Sequence, residues 1–248
     1  MIFFILVFTK VLVTAGFNLK ENIDSTEVVD LSTGCSMFLS NYPKKLAETT
    51  GQFLDDKVII CGGENPANSE CFALQRQTHS FEFFTYMKDT RRTAKSIVTQ
   101  GHIWVTGGLG GKYGEDYRLS STEYIPRSSN YEPSLPETVW MHAIVSINST
   151  ISMLIGGIRK TFSNVHDDFS PKTHYFDHQR QTWKDGPSLI DGRNGHTAGV
   201  IMDHVTHKQH IAVVGGTNIG GNCHLVELLF HGETQWQNGI QYFSSYNA

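Results

Sequence analysis

Basic runs, proline and cysteine are all scarce in this chain of 248 residues, and each scarcity narrows what the chain can be. No run of Lys or Arg exceeds two residues and the formal net charge is -4, so the electrostatic footprint of a nucleic-acid or anionic-membrane binder is missing. The four cysteines, Cys35, Cys61, Cys71 and Cys223, carry no C-x-x-C spacing, which argues against zinc and thioredoxin-type redox sites. No Gly-Lys-Ser or Gly-x-Gly-x-x-Gly opens a helix, which argues against a phosphate cradle, and no G-x-S-x-G element accompanies a triad. No apolar run is long enough to cross a bilayer as a helix. What remains is an ordinary globular composition, with 39% hydrophobic and 18% charged residues. The 23 Gly against 7 Pro, with 15 Phe, 9 Tyr and 4 Trp, suit many short strands and tight turns, so the expected class is all-β.

The apolar N-terminal segment, residues 1–15, supports two readings. Met1 to Phe8 is followed by Val13-Thr14-Ala15, the small residues a signal peptidase accepts, although no basic n-region precedes and Lys10 interrupts the run. The same segment also reads as two strands of a first repeat unit, because its second half falls on the pattern below. Both readings stay open at this stage.

That pattern is a strand ending in two small residues: Ala15-Gly16, Gly62-Gly63, Gly107-Gly108, Gly156-Gly157 and Gly215-Gly216. Spacings between the second members are 47, 45, 49 and 59 residues, the range of propellers and solenoids. A short strand follows each pair, and a large aromatic stands seven residues after a fixed position in it: Leu74 with Phe81, Tyr124 with Tyr131, Phe176 with Trp183, Leu229 with Trp236. In the first unit Val29 holds the strand position and Ser36 stands where the aromatic belongs. Two glycines at a strand end permit positive φ and close backbone approach, and the aromatic fills the wedge between twisted sheets. The glycines and Phe81, Tyr131, Trp183 and Trp236 are therefore read as structural, with Gly107 to Gly114 a strand end and a loop.

These landmarks, from about residue 11 to 239, resemble the kelch repeat: a strand closed by Gly-Gly, a third strand ending near Tyr-Asp, and a Trp opening the fourth. The fourth unit is the best match, with Phe176-Asp177, Trp183, Gly186-Pro187 and Arg193-Asn194-Gly195-His196. The resemblance implies a kelch-type β-propeller of four-stranded antiparallel blades, about five repeats, over residues 11–248. Ala15, Ser36 and the incomplete Arg-x-x-His feature at Trp140-Met141-His142 depart from it. Copper radical oxidases of the galactose oxidase type share the fold, but their crosslinked Tyr-Cys and paired His motifs are not recognisable here, nor is a sialidase-like Asp box.

From the second small residue to the third-strand landmark the interval varies as 13, 11, 16, 19 and 13 residues, so this loop is the elastic part of the repeat. In an up-and-down blade it shares a face with the strand 4 to strand 1 connection, and recognition is usually placed on such connections. The two longest, Gly110 to Ser120 and Ile158 to Lys172, make Lys112, Tyr113, Arg118, Lys160, Phe162 and His166 candidates for partner contact; the alternative is a tolerated insertion.

His204, His207 and His210 surround an extended turn and read as solvated, so no metal, no cofactor and no catalytic residue is expected. The Asp167-Asp168 pair lacks a second carboxylate partner for glycosidase chemistry. Cys61 and Cys71 end and begin adjacent strands and are candidates for a disulfide. Asn148-Ser149-Thr150 is the sole N-glycosylation sequon, placed in a turn. The expected function is non-catalytic: a propeller binding another protein, without nucleic acid or membrane insertion of the mature domain. A secreted protein is one setting; an intracellular adaptor serving a ubiquitin ligase or cytoskeletal partner is the alternative, and an oxidase or hydrolase the third.

Overall fold

Short β-branched and aromatic runs closed by glycine produce strands and turns, and no helix occurs among the described residues. The computed structural model describes residues 3–7, 9–18, 20–64, 67–111, 117–127, 133–159, 168–203, 205–223 and 225–239. The chain forms two compact units, Met1–Glu132 and Pro133–Ala248.

The first unit holds three antiparallel sheets. Strands β1 (Phe3–Val7), β2 (Lys10–Phe17), β3 (Asn22–Asp30) and β4 (Ser36–Phe38) form the first, in sequence order. Phe3–Val7 pairs along β2. Strands β5 (Thr50–Leu54), β6 (Lys57–Cys61), β7 (Asn68–Leu74) and β8 (Phe81–Arg91) form the second sheet. The third comprises β9 (Lys95–Thr99) and β10 (His102–Thr106), followed after a short ribbon of β11 (Leu109–Gly110) and β12 (Tyr117–Arg118) by β13 (Thr122–Ile125). Its expected aromatic, Tyr131, lies outside the described residues.

In the second unit β14 (Val139–Trp140) precedes β15 (Ala143–Ser146) and β16 (Ile151–Ile155); a ribbon of β17 (Ile158–Arg159) and β18 (Asp168–Phe169) follows, then β19 (Thr173–Asp177) and β20 (Thr182–Asp185). The order β15-β16-β19-β20 is the fourth sheet, and β14 joins the ribbon. The fifth sheet runs β21 (Thr197–Met202), β22 (Gln209–Val214), β25 (Glu227–Leu229) and β26 (Gln237–Asn238), with the ribbon β23 (Thr217–Asn218) and β24 (Gly221–Asn222) between its middle strands.

Register explains the sequence pattern. The seven-residue spacing is a direct cross-strand pair: Leu74 faces Phe81, Phe176 faces Trp183, and Val29 faces Ser36 in the first sheet, which keeps the register without the aromatic. Both small residues of all five pairs have positive φ, including Ala15 at 54°. The second residue donates its N–H to the segment entering the next sheet: Gly16 to the Leu46 carbonyl at 2.6 Å, Gly63 to Arg91 and Gly157 to Arg193, both at 2.8 Å. Residues two positions beyond those acceptors, Glu48, Thr93 and Gly195, and Met141 likewise, are all left-handed. Thr93 N–H reaches the Glu48 carbonyl and Gly195 N–H the Met141 carbonyl. A repeated backbone stitch thus joins neighbouring sheets within each unit.

The aromatics are less uniformly interior than their pattern suggested. Trp236 is buried, but Phe81 and Trp183 are half-buried. The two indoles serve a shared purpose: Trp183 Nε1 donates to the Ser134 carbonyl at 2.8 Å and Trp236 Nε1 to the Pro187 carbonyl at 2.9 Å, each tying the outer strand to an incoming connection. Phe81 instead packs edge-on against buried Tyr42, ring centroids 5.0 Å apart. His210 corrects a second expectation. Far from solvated, it is 5% exposed in β22, where Nδ1 accepts from the His231 N–H and the ring meets Phe230.

Cys61 and Cys71 stand directly opposite in the β6–β7 pair and form a disulfide; Cys35 is exposed and Cys223 buried, both as thiols. The loop it closes is short, so a Cys61→Ser/Cys71→Ser variant is expected to lose about 2–3 kcal/mol in chemical denaturation, the scale of chain-entropy constraint for such a loop. An unchanged midpoint would show that the native ladder alone holds these strands.

Candidate functional site

Where the connections gather follows from which residues pair beyond each sheet. Immediately after each Gly-Gly pair, one residue bridges the chain entering the same sheet: Glu64 with Ala47, Leu109 with Arg92, Ile158 with Trp140, Thr217 with Asn194. The strand 2 to strand 3 loop and the strand 4 to strand 1 connection therefore share one edge of each sheet, as the sequence reading required. In three sheets the loop continues past this bridge as a β-ribbon, one in the first unit and two in the second, and each ribbon is a candidate recognition edge of its own sheet.

Inside that edge, four connections show a linked choice of three residues. Arg91, 1% exposed, donates from Nε to Glu123 at 2.7 Å and from NH1 to the carbonyls of Gly107 and Ser121 at 2.8 and 3.0 Å. The second Glu123 oxygen accepts the Lys88 N–H at 2.6 Å. Arg193 repeats this, pairing with Glu227 and with the carbonyls of Gly215 and Leu225, while Ile190 N–H reaches Glu227 at 2.6 Å. Both members of that pair are fully buried. At the same register the second sheet has Pro43, Leu46 and Phe72, and the fourth has Pro136, Val139 and His174. Proline lacks the N–H that the glutamate needs, so the carboxylate and its guanidinium are absent where proline stands.

The fourth sheet refills the vacated position from its ribbon. Arg159 on β17 is 3% exposed; its NH2 donates to the Lys172 carbonyl at 3.3 Å, the acceptor that matches those of Ser121 and Leu225. Its NH1 contacts Glu137 and lies 3.0 Å from His174 Nε2, whose Nδ1 is 3.0 Å from Asp185. Lys172 Nζ adds a longer contact of 3.4 Å to Glu137. Burial and the adjacent Arg159 charge hold His174 below the ordinary imidazole range, against the pull of Asp185 and Glu137. Burial raises the Glu137 carboxyl, but Arg159 and Lys172 overcome it and leave it below its usual value.

In the first unit, Arg92 NH1 lies between two carboxylates, 3.1 Å from Glu48 and 3.3 Å from Glu64, beside the base of the β11–β12 ribbon. Burial and the Glu64 charge push the Glu48 carboxyl up, with Arg92 opposing, and burial lowers nearby Lys95. The Tyr117 ring lies across Gly110, where an added Cβ would come within 2.5 Å of it, and still leaves Tyr117 50% exposed. At the tip of β23–β24, Ile219 is 97% exposed, the kind of isolated apolar side chain a partner would cover.

Of the sequence candidates, the structure places Arg118 in β12, half-exposed and beside Tyr117. Lys112, Tyr113, Lys160, Phe162 and His166 lie outside the described residues. Missed altogether were Arg159, Glu137, His174 and Asp185, and the signal that finds them is the strand register: His174 occupies the Glu123 and Glu227 position. Asn148 is exposed in the β15–β16 turn, with Oδ1 accepting from Thr150 and Ile151 N–H groups at 2.9 and 2.8 Å. Among the described residues no cluster of His, Cys, Asp or Glu is arranged to hold a metal, and no helix is long and apolar enough to cross a membrane. Compared with models of known families and with curated proteins, the chain matches none.

Proposed function

We propose that this chain is a non-catalytic protein-binding scaffold, built as a kelch-like β-propeller whose blades are the five sheets, with the strand 2 to strand 3 ribbons as its recognition surface. The observation that carries the reading is the sharing of one sheet edge by the variable ribbons and the connections, each ribbon rooted on a buried ion pair or polar hub. A stitched scaffold that projects loops of differing length from one edge of its sheets is the arrangement expected of a binder. The Cys61–Cys71 disulfide and the exposed Asn148 sequon support a secretory route and an extracellular partner.

For the binding surface, a partner identified by crosslinking to the intact protein is measured against two variants. Tyr117→Ala/Arg118→Glu and Ile219→Asp are each expected to weaken binding at least about tenfold, the scale of a truncated anchor residue. Full affinity in both, with loss instead on changing Arg76 and His79 in the β7–β8 turn, would move the surface elsewhere and sink the reading.

A further inference from the structure

The ribbon of the fourth sheet differs from the rest in being anchored through an imidazole. Arg159 NH1 is a permanent donor, so the 3.0 Å contact requires His174 Nε2 to be unprotonated and to accept, which leaves Nδ1–H to donate to Asp185. That tautomer exists only in the neutral ring. Among the described residues, the charged groups facing the ring are Arg159 from β17, Glu137 from the connection before β14, Lys172 from the turn before β19, and Asp185 from β20. The edge of Trp183 closes the remaining side, ring centroids 6.5 Å apart. Two cations and two carboxylates balance around a neutral ring; adding a proton leaves an excess positive charge in a site where the ring is 7% exposed.

We propose that His174 is a pH-operated latch: neutral, it fixes Arg159 and with it the β17–β18 ribbon, and protonated, it loosens the hold on the outer strand β18. This rests on the reading of the ribbons as the recognition surface, and names how one of them is regulated. The imidazolium presents N–H to the guanidinium, so the acceptor is lost and two like charges face each other. The new Nε2–H turns toward Glu137, 3.7 Å away, and competes with Arg159 for the same oxygen. Arg159 then loses both side-chain partners; β17 keeps its pairing with β14, while the outer strand β18 is held to β17 by the two-residue ladder of Ile158 with Phe169 and Arg159 with Asp168 and by the Ser170 N–H to the Gly157 carbonyl just beyond it. The favoured neutral form puts the latch closed near neutrality and open as pH falls below the ordinary imidazole range.

Amide hydrogen exchange on the protein alone tests this without any partner, so its failure is separate from failure of the binding surface. Between about pH 7.5 and pH 5, after correction for intrinsic exchange, protection at Arg159, Phe169 and Ser170 is expected to fall roughly tenfold, the scale of one lost hydrogen bond to a charged group, with Ala212 and Val213 in β22 unchanged. His174→Gln is expected to remove that pH dependence. Asp185→Asn, at an exposed position and so safe for folding, is expected to move the midpoint to lower pH, because Asp185 favours the protonated ring. His178, the other histidine at the end of β19, remains in both variants and controls for its own titration. The same fall in His174→Gln, no fall in the wild type, or an upward midpoint in Asp185→Asn would overturn the latch.

Discussion

Arg193→Ala is expected to be among the most damaging single changes available in this chain, costing about 3–5 kcal/mol, because it leaves the Glu227 carboxylate buried without its cation. Glu227 is 0% exposed and accepts from Arg193, Ile190 N–H and Asp191 N–H, so without the guanidinium it keeps only the two backbone donors. Arg193 also satisfies the carbonyls of Gly215 and Leu225, and those acceptors are orphaned too. Thermal unfolding should shift down by roughly 6–20 °C. The molecule itself supplies the rescue. The second sheet fills the same three positions with Pro43, Leu46 and Phe72, apolar and without any unpaired charge. Arg193→Leu/Glu227→Phe, alone or with Ile190→Pro, is therefore expected to recover most of the loss. If the double variant is as unstable as the single one, the ion pair contributes through geometry that an apolar pair cannot reproduce, and the three positions are not interchangeable units.

That substitution pattern shows how much the sequence disclosed. The glycine pairs, the seven-residue spacing and the Cys61–Cys71 pairing were legible because each is a local consequence of register: residues that close a strand, or face each other across one turn, keep fixed offsets. The elastic loop was legible from interval lengths, and its placement on the connection edge from the up-and-down strand order that the kelch resemblance implies. The linked Pro-Leu-Phe and Ile-Arg-Glu choices were not, since Arg193 and Glu227 are 34 residues apart and only register relates them to Arg91 and Glu123. His174 was hidden for the same reason, and more deeply, because its arginine comes from the ribbon and not from the usual position. His210 misled for a different reason: three histidines in a polar stretch suggested a wet turn, but β22 begins at Gln209 and turns that ring inward against Phe230. Side-chain direction at a strand end depends on where pairing starts, which composition does not carry.

The second large effect separates the two positions of the fifth sheet's glycine pair, whose first member, unlike Gly62 and Gly156, has no neighbouring chain against it. Gly215 and Gly216 both lie at positive φ, 69° and 90°, so alanine at either is strained. At Gly215 an added Cβ meets nothing within 4 Å, and strain alone is expected to cost about 1 kcal/mol. At Gly216 the same atom falls 2.5 Å from the Asn194 carbonyl oxygen and 2.9 Å from His196 Cβ, inside the segment that bridges Asn194 to Thr217. Backbone has to move there, and the bridge that roots the β23–β24 ribbon moves with it. Gly216→Ala is expected to cost about 2–6 kcal/mol, strain plus overpacking, read by denaturant titration beside Gly215→Ala. The first sheet carries alanine at the first position, at φ 54°, and keeps Gly16 at the second. Equal costs for the two variants would mean that conformational freedom, and not the approach of the incoming chain, is what the second glycine supplies.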